Sequence, residues 1–272
     1  MREISRQARS RGERIGLVPT MGCLHAGHMS LLRRVRSVTE VLVVSVFVNP
    51  TQFTDHEDFE KYPRDLARDS DLSIAEGVDY LFTPESAEIY PPGSSTFVEV
   101  AELSSLLEGA SRPGHFRGVT TVVLKLFEIV TPHVAAFGQK DAQQAIIIQR
   151  MARELMLGLE VLVLPTVRDE DRVALSSRNG YLSSEERRAA AAIPRCLEAA
   201  ERAIAEGERD PAIIVRAARE VLRAESSLRV DYLELVETET LQPVSRIEGE
   251  MLLAVAVVLG GTRLIDNTVL RV

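Results

Sequence analysis

The chain has 272 residues, of which 45% are hydrophobic and 26% are charged, and its formal net charge is −8. These values are typical of a globular chain with one large or two smaller domains. The negative charge argues against nucleic acid or an anionic membrane as a partner, because both require a basic surface.

The cysteine content and the length of the apolar runs indicate the cellular compartment in which the protein works. Cys23 and Cys196 are too few for a disulfide framework, and the sequence has no recognisable signal peptide. The longest apolar runs are too short to span a bilayer as helices. The sequence therefore predicts a cytoplasmic protein.

The first part of the chain alternates strand-like and helix-like segments. Apolar β-branched runs predict strands at 15–18, 41–48, 78–82, 96–100, 134–137 and 159–167. Amphipathic stretches bounded by Pro or Gly predict helices at 29–38, 63–76, 119–130 and 138–156. This order predicts an α/β domain with a doubly wound parallel sheet over 1–168, with ligands bound beyond the carboxyl ends of the strands.

The last third of the chain has a different pattern. A capping-box sequence at 183–186 predicts a helix to about residue 207, and Asp210-Pro211 predicts the start of a second helix. Strand-like runs follow at 230–236, 252–258 and 262–266. We expect a smaller α+β domain over 169–272.

The most informative block is 19–28, Pro-Thr-Met-Gly-Cys-Leu-His-Ala-Gly-His. It places His25 and His28 where a strand turns into a helix, three residues apart and so on one helix face. The N–H groups and the dipole of a helix N-terminus suit a phosphate chain, and the two glycines permit close approach of the ligand. A metal pair and two structural histidines are the alternatives, although no further zinc ligand lies nearby in sequence.

Five other features have both a functional and a purely structural interpretation. Amides at 49–52 suit a polar substrate or an Asn-Pro turn, and 138–144 suits a nucleotide or a capped surface helix. The basic loop 112–118 suits closure over an anion, and 176–179 suits a phosphate or a polar linker. Asp69 and Asp71 face either Mg²⁺ or water. His56 and His133 lie outside any motif, as structural or surface histidines do.

Taken in order, these blocks resemble the pantothenate synthetase (pantoate–β-alanine ligase) family. The matching blocks are 19–28, 47–53, 62–64, 112–118, 137–144 and 176–179. The resemblance covers the chain from about Arg14 onward. The His-x-Gly-His and Ser-Ser-Arg segments are also similar to two signatures of the wider nucleotidylyl-transferase superfamily, which implies a Rossmann-like fold of the His-x-Gly-His type.

The resemblance implies a reaction in two steps. The carboxylate of pantoate attacks the α-phosphate of ATP, giving pantoyl adenylate and pyrophosphate, and the amine of β-alanine then displaces AMP to give pantothenate. ATP with Mg²⁺, pantoate and β-alanine are thus the implied ligands, and a homodimer is the implied assembly. The open rivals are a nucleotidylyltransferase acting on another small acceptor and a non-catalytic nucleotide sensor.

The resemblance also implies residue roles. His28 is the expected proton donor, and the other expected catalytic groups are His25, Lys140, Ser176, Ser177 and Arg178. The nucleotide is expected to contact Met21, Gly22, Cys23, Leu24, His25, Ala26, Gly27, His28, Gly138, Gln139, Lys140, Asp141, Val167, Leu175, Ser176, Ser177 and Arg178. The substrates are expected to contact Pro19, Asn49, Gln52, Arg112, His115 and Gln144. Asp69 is the expected protein contact of Mg²⁺.

The N-terminus is shorter than is usual in the family, where a helix commonly precedes the first strand. We therefore expect either a misplaced start or a trimmed peripheral element, with an effect on packing rather than on chemistry.

Overall fold

The computed structural model describes residues 1–54 and 58–272, and its contacts divide the chain into two units. The first unit comprises Met1–Gln139 and Gln143–Pro165, and the second comprises Lys140–Ala142 and Thr166–Val272. The expectation for His56 lies outside the described residues.

The first unit is built on a five-stranded parallel sheet with strand order β3-β2-β1-β4-β5. Its strands are β1 (Ile15–Thr20), β2 (Val41–Val46), β3 (Tyr80–Phe82), β4 (Val134–Gly138) and β5 (Glu160–Leu164). Its helices are α1 (Arg2–Ser10), α2 (Ala26–Arg36), α3 (Leu66–Ala75), α4 (Ser86–Ile89), α5 (Glu108–Ser111), α6 (His115–Val130) and α7 (Ala142–Glu154), the last with its first residue in the second unit. The order reverses at β1, so β1 and β4 flank the switch point where α/β sheets bind ligands.

The burial of β2 explains why the sequence pattern was informative. Its first five residues are buried, which is how a strand covered on both faces reads in sequence. The expected α/β fold with a parallel sheet and a second, smaller domain is confirmed.

Two local expectations for this unit are wrong. The segment 96–100 is not a strand, because hydroxyl groups of α6 bind its backbone: Val98 N–H donates to Thr121 Oγ1, and the Val98 carbonyl accepts from Thr120 Oγ1. The helix expected to be missing before β1 is present as α1, and Arg9 on this helix donates to the Thr131 carbonyl at 2.8 Å.

The second unit contains three helices and an antiparallel sheet of order β6-β7-β8. Its helices are α8 (Ser184–Ala190), α9 (Ala192–Ala205) and α10 (Pro211–Arg223), and its strands are β6 (Leu228–Glu237), β7 (Glu250–Leu259) and β8 (Thr262–Arg271). The single helix expected from 183 to 207 is instead two helices, since Pro194 in the first turn of α9 lacks the N–H that a continuous helix would need.

Cys196 lies in the core of this unit and is fully buried. Burial, with a smaller contribution from the charge of Asp266, raises the pKa of its thiol to about 12. It is therefore an inert apolar side chain.

Within 1–54 and 58–272, the helices are all too short or too polar to cross a bilayer.

Candidate active site

His25 and His28 form the N-terminal cap of α2. His25 Nδ1 accepts the N–H of Gly27 at 3.1 Å, and His28 Nδ1 accepts the N–H of His25 at 3.3 Å. Because both Nδ1 atoms accept main-chain hydrogen bonds, the neutral rings carry their proton on Nε2. A Cβ on Gly27 would lie 2.9 Å from two atoms of the His25 ring, so only glycine allows this ring position. The pair therefore offers two oriented N–H donors at a helix N-terminus.

The loop between β1 and α2 is fixed by a buried carboxylate. Asp69 on α3 is 1% exposed, and it accepts the N–H of Cys23 at 2.9 Å and that of Leu24 at 2.7 Å. This loop has left-handed backbone at Gly22 and Cys23, with φ of 85° and 51°. Asp69 thus stabilises the turn that positions the two histidines at the N-terminus of α2.

Cys23 is a poor nucleophile in this environment. Burial raises the pKa of its thiol, and the neighbouring carboxylate of Asp69 raises it further. The thiolate is the reactive form of cysteine, so covalent catalysis by this residue is disfavoured.

A second polar group lies at the carboxyl end of β2. Asn49 is 1% exposed, and its Nδ2 donates to Gln52 Oε1 at 3.0 Å and to the Gly118 carbonyl at 3.2 Å. The Asn49 side-chain oxygen accepts from Tyr90 Oη at 2.8 Å. With its oxygen occupied, the Gln52 amide directs Nε2 toward Met21, whose sulfur lies 3.2 Å away. This contact joins the loop after β1 to the turn after β2.

Arg112 and His115 hold the main chain of Gln52. Because Arg112 Nη1 must donate, His115 Nε2 accepts it at 3.1 Å, and the His115 Nδ1–H donates to the Gln52 carbonyl at 2.8 Å. This tautomer is the opposite of the one at His25 and His28. His115 is 7% exposed, so it orients Gln52 from below the site surface.

The remaining expected residues are divided between the two units. In the first unit, Pro19 lies in β1, Gly138 ends β4, Gln139 follows it and Gln144 is on α7. The second unit contains the others: Lys140, Asp141, Val167, Leu175, Ser176, Ser177 and Arg178. There Ser176 Oγ accepts the N–H of Arg178 at 3.3 Å and caps the 3₁₀ turn Ser177–Tyr181.

The described residues do not form a protein cage for a metal. No group of three or more His, Cys, Asp or Glu among them is placed to hold an ion. Mg²⁺ is commonly held by one or two carboxylates together with substrate phosphates, so an ion carried by a nucleotide fits this donor set. Asp69 already binds two backbone N–H groups, and its metal role stays a prediction.

Comparison with known proteins decides the family. The family model for pantoate-beta-alanine ligase matches residues 1–269. The chain belongs to this family. Curated pantothenate synthetases from Moorella thermoacetica and Thermotoga neapolitana are 53% and 51% identical, covering 97% and 99% of this chain and 94% and 96% of the relatives.

Solved structures agree with this assignment to the pantoate–β-alanine ligases. The pantothenate synthetase of Thermus thermophilus is 47% identical, with a TM-score of 0.93 over 97% of this chain and 96% of that one. The pantoate-beta-alanine ligase of Francisella tularensis, in complex with beta-gamma ATP and beta-alanine, is 33% identical, with a TM-score of 0.79 over 98% and 94%. The expected resemblance and the expected enzyme class are confirmed.

Sequence reasoning missed the support behind Asn49. The hydroxyl of Tyr90 contacts both Asn49 and Thr51, and the ammonium of Lys125 lies 4.4 Å from the Tyr90 ring centroid. Tyr90 is 41 residues from Asn49 in sequence, and no local pattern signals such a pairing.

Proposed function

We propose that the chain condenses pantoate with β-alanine at the expense of ATP, giving pantothenate, AMP and pyrophosphate. The observation that carries this function is the capped pair His25 and His28, held beside the Asn49–Gln52 turn at the carboxyl edge of the sheet. Two N–H donors at a helix N-terminus suit a polyphosphate, and an oriented amide beside them suits a small hydroxy acid.

In the first step a carboxylate oxygen of pantoate bonds to the α-phosphorus of ATP, and the bond from this phosphorus to the α,β-bridging oxygen breaks. Charge develops on the departing pyrophosphate. His28, whose Nδ1 is bound to the main chain, donates its Nε2 proton to the bridging oxygen that leaves with pyrophosphate. His25 binds a neighbouring phosphate oxygen. General acid catalysis of this kind contributes roughly 10²–10⁴-fold.

In the second step the neutral amine of β-alanine attacks the acyl carbon of the pantoyl adenylate. The C–O bond to AMP breaks, and the amine loses a proton as the amide forms. The chain contributes position rather than a nucleophile, which agrees with the raised pKa of Cys23. Gln52 binds pantoate first and β-alanine later, and Gln144 binds pantoate.

The family resemblance supports the remaining assignments. Lys140 and the segment Leu175–Arg178 bind the phosphates, and Val167 contacts the adenine through its backbone. Bound together with ATP, Mg²⁺ would neutralise part of the phosphate charge. A homodimer, a cytoplasmic location, and a division into a nucleotide- and pantoate-binding domain (1–168) and a lid domain (169–272) stay predictions.

The test is an assay of AMP and pantothenate with purified protein, ATP, Mg²⁺ and D-pantoate, run with and without β-alanine. Formation of both products only with all components supports the ligase. Pyrophosphate release without β-alanine-dependent turnover would instead indicate a different acceptor. Binding of ATP with no release of pyrophosphate would overturn the proposed chemistry.

A further inference from the structure

Two consecutive polar residues are buried in β8, the last strand of the second unit. Asp266 is 2% exposed and Asn267 is 5% exposed. Both lie in the continuous register between β7 and β8, with Asp266 opposite Val255 and Asn267 opposite Ala254. Burying a carboxylate and an amide is costly unless each has hydrogen-bond partners, so their partners indicate what they do.

Asn267 contacts the main chain of a nucleotide-binding candidate. Asn267 Nδ2 donates to the Lys140 carbonyl at 2.9 Å. Lys140 lies in the 3₁₀ turn Gln139–Asp141, directly after β4 in sequence, yet its contacts group it with the second unit. The backbone position of Lys140 is therefore held by β8, 127 residues away in sequence.

Asp266 Oδ1 accepts the N–H of Asn267 at 2.8 Å, and the carboxylate pairs with Arg168. The two form a bidentate pair, with distances of 2.6 Å and 3.1 Å, and the Asp266 side chain is 1% exposed. Arg168 Nη1 also donates to the Arg172 carbonyl at 3.0 Å. A buried carboxylate that binds a guanidinium through two hydrogen bonds fixes the position of the arginine side chain and of its backbone.

Arg168 lies at the base of a hairpin-like turn that leads to the Ser-Ser-Arg segment. Arg168 and Ala174 form an antiparallel bridge, and the Leu175 N–H donates to the Val167 carbonyl at 3.0 Å. Asn179 Nδ2 then donates to the Ala174 carbonyl at 3.0 Å. Fixing Arg168 thus fixes both Val167 and the start of 175–178.

We propose that Asp266 and Asn267 are positioning residues for ATP, because one strand sets the backbone of Lys140 through Asn267 and that of 167–175 through Asp266 and Arg168. This inference rests on the proposed function, which assigns those two segments to the nucleotide. The pair touches no reacting atom. Its effect is on how well the nucleotide-binding groups are preorganised.

Asn267→Ala tests the first contact. It removes the side-chain bond to Lys140 and keeps the β8 backbone ladder. Thr268→Val is the matched control, because Thr268 is the next residue of β8 and its hydroxyl bonds to Glu201 at 2.6 Å, away from both segments. We expect Asn267→Ala to raise the Kd of a non-hydrolysable ATP analogue and the KM for ATP about tenfold, the order of one lost hydrogen bond. The KM for β-alanine should not change.

Arg168→Lys tests the second contact, because it keeps the charge and loses the fork. Arg263→Lys is its control, since Arg263 also lies in the second unit and pairs with a carboxylate: its Nε and Nη2 both donate to Asp231 Oδ2, at 3.0 Å and 2.7 Å. We expect Arg168→Lys to weaken binding of the ATP analogue while Arg263→Lys does not, at comparable losses of Tm.

The positioning role would be overturned if each test variant changed the Kd for the ATP analogue no more than its control does. It would also be overturned if the test variants changed only the Tm. Failure of the proposed function is visible separately, because it appears in the unmodified protein as an absence of pantothenate. If the unmodified protein binds no ATP analogue, both proposals fall.

Discussion

The rings of His25 and His28 lie with their centroids 4.1 Å apart, and both are tied to α2 through Nδ1. The cap therefore uses one nitrogen of each ring, and the proposed chemistry uses the other. Because Nδ1 serves the helix cap and Nε2 serves the proposed proton transfer, a variant can remove the proton donor and keep the cap.

His28→Gln is that variant. Glutamine at the third helical position accepts the N–H of the capping residue, as the His28 ring does, but it supplies no imidazole proton donor. We expect the Tm to stay near that of the unmodified protein and single-turnover pyrophosphate release to fall at least about 100-fold. His28→Ala is the companion variant, and it should also lose about 1 kcal/mol of stability with the cap. A Kd for ATP that rises in proportion to the loss of rate would indicate that His28 only binds.

Asp69→Asn separates loop support from metal binding. An amide offers one acceptor and places an NH₂ against a backbone N–H, so we expect a loss of about 1–3 kcal/mol in the free energy of unfolding. The rate should fall because the loop that carries the histidines loosens, while the Mg²⁺ concentration for half-maximal activity stays the same. Denaturant titration and an Mg²⁺ titration measure the two effects.

Asp71→Asn is the matched control on the same helix, because Asp71 is exposed. It should change neither quantity. A variant at Asp69 with normal stability and a raised Mg²⁺ requirement would instead support the role of ligand.

The sequence predicted the location of the site better than its construction. Parallel strands such as β2 are apolar on both faces, so their ends are visible in the sequence, and the histidine and amide blocks follow those ends directly. The contacts that orient these groups are long-range. Asp69 is 46 residues from Cys23, and Asn267 is 127 residues from Lys140. No periodicity or local propensity specifies such pairs.

The wrong element predictions have a similar cause. The β-branched residues of 96–100 favour a strand, but the Thr120 and Thr121 hydroxyls of α6 satisfy the Val98 backbone instead. Tertiary contacts thus overrode local propensity. In the helix expected from 183 to 207, Pro194 was the local signal for a break, and the Ala-rich composition around it concealed this signal.

Gly118→Ala tests the close contact between α6 and the Asn49–Gln52 turn. A Cβ at this position would lie 2.3 Å from the Thr51 carbonyl oxygen and 2.7 Å from the Gln52 nitrogen. The usual gain of about 1 kcal/mol from replacing a helical glycine should therefore reverse, with a loss of about 1–3 kcal/mol. The KM for pantoate should rise, because Asn49, which orients Gln52, also binds the Gly118 carbonyl. Gly158→Ala is the control, since a Cβ there meets no atom within 4 Å; equal effects of the two substitutions would contradict the contact.

The environment of His133 predicts that the free energy of unfolding depends on pH, independently of the candidate active site. Burial, and then the charges of Arg9 and Arg14, lower the pKa of His133 below its ordinary value of 6.5. The Ile15 N–H also donates to His133 Nδ1 at 2.9 Å, which requires that nitrogen to be unprotonated. As pH falls below 6.5, the unfolded chain binds a proton that the folded chain does not. The stabilisation is thus present above the unfolded pKa and is lost as pH falls toward the folded one.

His133→Asn removes this titration and retains an acceptor for the Ile15 N–H. Between pH 7 and about pH 5, we expect the free energy of unfolding of the variant to fall less steeply than that of the unmodified protein. Urea denaturation at a series of pH values measures both slopes. Because the carboxylates are common to the two proteins, the difference between the slopes isolates His133, and parallel curves would show that its pKa does not change on folding.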